Sequence, residues 1–139
     1  MKIIITEEQN EKLNQRVKTL INKLGLQGAI KMIGGNTNLI KHAYENNPLE
    51  FMDNFKDLET VIKPSKPYMV YYKKNGKNLM IQDNERKEFW FDYTEIWYFF
   101  KMIFDMEFKE IQRILNKWLE DTFNLKDYIP YILNFTINI

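Results

Sequence analysis

The stretch FWFDYTEIWYFFKMIFDMEF, residues 89–108, holds ten of the chain's 21 aromatic residues in twenty positions, and it constrains the fold more than any other segment. A membrane span needs about twenty predominantly apolar residues. Here Asp92, Glu95, Lys101, Asp105 and Glu107 interrupt the run, so a membrane anchor is excluded and the rings must go into a core or onto a surface made for a partner. Asp92 is placed to cap a helix with Glu95 reaching back, and Phe91 and Ile96 occupy the two positions of a hydrophobic staple. The spacing predicts a helix from Tyr93 to about Phe104.

On an α-helical wheel Ile96, Trp97, Phe99, Phe100, Ile103 and Phe104 fill an arc of roughly 160°, which reads as core, with Thr94, Glu95, Lys101 and Asp105 outside it. Tyr98 and Met102 fall together on the polar side, four residues apart, where they would be neighbours in water. The following stripe, Phe108, Ile111, Ile114, Leu115, Trp118, Leu119 and Phe123, is rotated by roughly 70° from the first on a continuous helix. A break is therefore expected at Asp105-Met106, with two helices instead of one.

Upstream, Thr6-Glu7-Glu8-Gln9 has the form of a capping box. Leu13, Val17, Leu20, Ile21 and Leu24 recur at helical spacing, and Gly25 stands where a left-handed C-terminal cap would. Two short helical pieces split by Gly34-Gly35 are expected over 26–46. A further helix is expected from Asn47-Pro48, burying Phe51, Phe55, Leu58 and Ile62, until Pro64 and Pro67 turn the chain toward extended structure. Asn75-Gly76 between residues 68–73 and 78–83 is a strong hairpin signal, because a type I′ turn needs positive φ at both central residues. A third strand is expected at 87–91. A C-terminal strand is expected over 131–139, with Tyr131, Leu133, Phe135, Ile137 and Ile139 on one side. The fold class is α+β: one domain over residues 1–139, with a small, mostly antiparallel sheet, including the central hairpin and the C-terminal strand, packed against several helices.

Composition narrows the function. A chain of 139 residues with 45% hydrophobic and 28% charged residues can build its own core. The absence of cysteine removes disulfides, zinc-thiolate sites and thiol chemistry. The opening has only three consecutive apolar residues, too few for a signal peptide, so the expected location is the cytoplasm. Seventeen lysines against three arginines, with 17 isoleucines, 15 asparagines and two alanines, indicate an AT-rich genome, which weakens any reading of the lysines as selected for binding.

His42 with Glu45 and the acids Glu50, Asp53, Asp57 and Glu59 form the one concentration of groups from which a small carboxylate-dependent enzyme could be built. Their spacing matches no ligand pattern, and no metal or cofactor is expected. Ser65, the sole serine, lacks a nucleophile-elbow context. Gly34-Gly35-Asn36-Thr37 reads as a helix end and restart in preference to a phosphate cradle, having no P-loop lysine. Residues 60–82 carry Lys63, Lys66, Lys73, Lys74 and Lys77 without an acid, interleaved with Tyr68, Tyr71 and Tyr72. Such a hairpin could hold single-stranded nucleic acid by phosphate contacts and stacking.

The opening Met1-Lys2-Ile3-Ile4-Ile5-Thr6-Glu7-Glu8-Gln9, together with Glu95-Ile96-Trp97 and Trp118-Leu119-Glu120, resembles small uncharacterised proteins encoded by tailed bacteriophages of AT-rich hosts. The resemblance brings no activity and no site residue. It implies a virion component or a factor directed at host proteins, located in the particle or the host cytoplasm. The expected role is non-catalytic binding to a protein partner or to itself through Tyr98 and Met102, joined by Tyr71 or Tyr72 from the hairpin, with the nucleic-acid module as the alternative.

Overall fold

The computed structural model describes residues 6–135. It is α+β, with five helices and one five-stranded sheet, and its residues cluster into two compact units, Met1–Asn54 and Phe55–Ile139.

The first unit is helical. Helix α1 (Glu7–Met32) starts on the expected capping box: Gln9 N–H donates to Thr6 Oγ1 (3.2 Å) and Thr6 N–H to Gln9 Oε1 (3.1 Å). Gly25, at φ 78° and ψ 172°, is non-helical and divides α1 into two helical pieces across a kink, the first ending where the sequence placed an end and the second running to Met32. That backbone angle is one that a side chain would strain. Val17, Ile21, Leu26 and Ala29 are the buried residues of α1. Gly34 and Gly35 (φ 69° and 80°) then cap it, their N–H groups donating to Lys31 O (3.2 Å) and Ile30 O (2.8 Å). With those donors spent on the preceding helix, the glycine pair is a terminator and restart, as its sequence context indicated.

Helix α2 (Thr37–Tyr44) buries Ile40, Ala43 and Tyr44, and a 3₁₀ helix (Pro48–Phe55) follows where an α-helix was expected. Its tighter winding suits a short piece and stops it before Leu58 and Ile62, which leaves Ile62 58% exposed. Tyr44 meets Phe51 edge to face at 6.0 Å, and Lys18 holds Glu50 at 2.8 Å.

The second unit carries the sheet, in the order β1-β2-β3-β4-β5: β1 (Glu59–Val61), β2 (Met69–Lys74), β3 (Lys77–Asp83), β4 (Glu88–Asp92) and β5 (Ile129–Leu133). The hairpin closes through Asn75 (φ 52°) and Gly76 (φ 77°), the pair of positive angles that the sequence demanded. Neighbours are antiparallel except β4 and β5, which run parallel. A parallel pair needs a long crossover. Two helices supply it: a π-helix (Tyr93–Ile103) and α3 (Phe108–Phe123). The break between them lies where the rotated stripes placed it, with Asp105 in left-handed geometry at φ 53°.

Each face of the sheet has its own cluster. On one, Tyr72 and Phe89 meet Phe123 of α3 at 5.4 and 5.6 Å, and Phe91 meets Trp118 at 6.1 Å. On the other, Met69, Tyr71, Ile81 and Phe135 form a buried group with Val61, Trp90 and Leu133 against it. Strand β5 is shorter than the sequence pattern suggested: Phe135 is buried, Leu133 half-buried and Tyr131 41% exposed, while Ile137 and Ile139 lie outside the described residues. Pro130 sits inside this edge strand opposite Phe89.

Two measurements check these assignments. Gly76→Ala places a Cβ at φ 77° and is expected to cost about 1–2 kcal/mol in urea unfolding. Burial pushes the Tyr44 phenol up to about 12, with an Asn54 hydrogen bond pulling the other way and the charges of Glu50 and Asp53 adding to the rise. The folded state therefore holds a proton that the unfolded chain releases near pH 10. That stability is full below pH 10 and is lost as pH rises toward 12, by up to about 3 kcal/mol. Tyr44→Phe should remove this part of the decline between pH 10 and 12 when urea midpoints are compared across pH.

Candidate protein-binding surface

The buried positions of the 93–103 helix recur every four residues, at 95/96, 99/100 and 103, and this spacing fits a winding wider than an α-helix. The described backbone follows it: Phe104 N–H donates to Phe99 O at 3.2 Å, an i→i−5 bond, and the segment is wound as a π-helix. Its turn advances roughly 80–90° per residue in place of 100°. The buried set becomes Glu95, Ile96, Phe99, Phe100 and Ile103.

The rewinding has two effects. Glu95, expected in water, turns inward and is 4% exposed, while Trp97, expected in the core, moves to the rim of the outer face and is only half-buried. The outward arc, roughly 80–90° wide on this winding, now gathers Tyr93, Trp97, Tyr98 and Met102. Met102 is 62% exposed, Tyr93 42%, and Tyr98 half-buried. Tyr93 stacks on Trp97 with ring centres 5.8 Å apart and planes 17° from parallel. Phe108, expected on the buried stripe of α3, is instead 49% exposed and meets Trp97 at 5.9 Å. The result is a row of rings, Tyr93–Trp97–Phe108, with Tyr98 and Met102 on the same helix face. Lys101 and Asp105, 3.5 Å apart, lie nearby on the chain and supply a polar edge.

Tyr71 and Tyr72 do not join this surface. They are 4% and 8% exposed, Tyr71 in the cluster with Met69 and Ile81 and Tyr72 under α3, with its hydroxyl donating to Gln82 Oε1 at 2.7 Å. Their alternation along β2 sends one to each face of the sheet, and both faces are covered. Burial pushes the Tyr72 phenol up, with a further rise from Tyr128.

The hairpin lysines are likewise drawn into local contacts. Lys77 Nζ lies 3.4 Å from Asp92 Oδ2 and 4.0 Å from Glu95 Oε1 and donates to Thr94 Oγ1 at 3.3 Å. Burial pulls the Lys74 ammonium below its ordinary value, with Glu95 acting against that shift. Lys63 Nζ stands 4.5 Å over the Tyr71 ring, and Lys66 lines the same small pocket of about 120 Å³. Lys73 is half-buried. Of the three interleaved tyrosines only Tyr68, at 37%, reaches solvent, so the stacking platform of the nucleic-acid reading shrinks to one ring.

His42 is engaged on both ring nitrogens, Nε2 with Asn10 Oδ1 at 2.7 Å and Nδ1 with Glu45 Oε1 at 3.3 Å. Glu50 is held by Lys18, and Asp53 lines a polar pocket beside it. Asp57 and Glu59 belong to the other unit. Among the described residues no group of three or more acids or histidines is placed to hold a metal ion, and no helix is long and apolar enough to cross a membrane.

Comparison of the chain with protein-family models, curated proteins and solved structures returned no match. The reading of the surface therefore stands on its own geometry.

What the sequence did not disclose is the position of Trp97, Tyr93 and Phe108. The sequence does not mark it, because residues 96–100 are one unbroken apolar run and the buried pair 95/96 begins with a charged residue. Lys77→Met would leave the buried carboxylates of Asp92 and Glu95 without that cation. The expected loss in urea unfolding is about 1–3 kcal/mol, below a fully buried pair because Lys77 is half in solvent. A loss under about 0.5 kcal/mol would mean that the acids are held without it.

Proposed function

We propose that this protein is a non-catalytic binding protein whose contact surface is the outer face of the π-helix, with Trp97 as the middle ring of its aromatic row. The observation that carries the reading is the row Tyr93–Trp97–Phe108 with Met102 and Tyr98 beside it, all on a face where a monomer gains nothing by displaying rings. Aromatic residues and Met are enriched at protein interfaces, where a few partly desolvated anchors carry most of the binding energy. Stacking already limits the motion of Tyr93 and Trp97, so less rotamer entropy remains to be lost on contact. The resemblance to tailed-phage proteins extends the proposal to a virion component or a factor directed at a host protein.

The test is recovery of a partner on the immobilised chain, alongside light scattering for self-association. Tyr93→Asp with Met102→Asp is expected to abolish whichever association the wild type shows, while the melting temperature stays within about 3 °C, because both side chains are exposed. The Trp97 emission of the wild type should shift to the blue on binding. Undiminished association by the double variant, or no association in either assay, would overturn the proposal.

A further inference from the structure

The helical unit carries a second surface that the π-helix does not explain. Between α1 and the chain that returns as α2 lies a groove of about 820 Å³, floored by Leu13, Leu20, Ile33 and Leu39 and edged by Lys12, Arg16 and Lys23. The residues that line it include three cations and no acid, and Lys12 also lies 3.7 Å from Glu8 in a solvent-exposed pair. From Lys12 to Lys23 the groove follows α1 for about 17 Å, or three helical turns.

We infer that this groove binds an acidic amphipathic helix of a partner protein. The apolar floor calls for aliphatic side chains repeating at i, i+3 or i+4, and i+7, the pattern by which a helix fills a groove. The rim selects the charge of what flanks them. On α1, Arg16, Lys23 and Lys12 fall on one side of the Leu13–Leu20 line within roughly 40° of one another, so they face the same flank of any docked helix. Glutamates or aspartates on that flank are attracted, and lysines are repelled.

The same rim argues against a second copy of this chain. An antiparallel α1 seated on Leu13 and Leu20 presents the identical flank, setting Arg16 beside Arg16 and the lysines in the same row. Like charges held so close oppose self-pairing. Nucleic acid would be drawn to the cations but has no use for four aliphatic side chains between them.

The probe is a fluorescein-labelled sixteen-residue peptide with leucines on one helical face and glutamates on its flanks, titrated against the full chain by anisotropy. It should bind saturably and weaken as salt rises. A version with lysine for glutamate, and one with the leucines scrambled, should bind at least tenfold more weakly. In Lys12→Glu/Arg16→Glu/Lys23→Glu the preference should invert toward the lysine peptide, with helical circular dichroism unchanged. The Tyr93→Asp/Met102→Asp variant should bind the acidic peptide as the wild type does, which separates this inference from the π-helix proposal. Equal binding of the acidic and lysine peptides, no saturable binding, an unaltered preference in the triple variant, or displacement of the acidic peptide by a single-stranded oligonucleotide at equal concentration would each overturn it.

Discussion

The second unit hangs on one buried carboxylate. Asp92 is fully buried at the end of β4, and its side chain accepts from the Thr94 N–H (3.4 Å) and hydroxyl (2.7 Å) while lying 3.4 Å from Lys77. One group thus ends a strand, starts a helix and ties that junction to the first residue of β3. A buried charge is expensive unless its lone pairs are satisfied, and here a cap and an ammonium meet the requirement together. Because Glu95 reaches toward the same ammonium, the first turn of the helix is turned inward, and that orientation determines what the helix leaves outside.

The outer face follows from the inner one. Phe99 and Phe100 meet nearly perpendicular at 5.0 Å and are both fully buried, an arrangement that adjacent residues reach most easily when the helix winds wide enough to bring two neighbouring positions to the same side. Once the pairs 95/96 and 99/100 turn inward, Tyr93, Trp97, Tyr98 and Met102 have the opposite side left to them. The exposed rings are the geometric complement of a core that takes its residues in twos.

Much of this was legible in the residues. Thr6 with Gln9, Gly34-Gly35, Asn75-Gly76, Asp92 and the Asp105 break all act locally, through caps and left-handed angles that a few neighbouring side chains determine. The burial of Phe91 and Ile96, the two staple positions, follows from the same local logic. The residues whose setting was misread are those governed by winding or by long-range pairing. Glu95 and Trp97 exchanged environments because the pitch is set by tertiary packing, which a fixed 100° step cannot anticipate. Tyr71 and Tyr72 looked available beside five lysines, and only the register of β2 against β1 and β3 shows that each lies under a covered face. For the candidate surface, Tyr98 and Met102 were visible in sequence, whereas the stacked row beside them was not.

Pro130 gives the sheet a further property. It lies in β5, the last strand in the order, and contributes no N–H to any ladder. At the opposite margin β1 is only three residues long. A flat, donor-rich border invites neighbouring molecules to add strands without limit, and short or proline-bearing borders discourage it. Among the described strands, neither outer border therefore offers the long, unbroken row of donors and acceptors that open-ended strand addition requires.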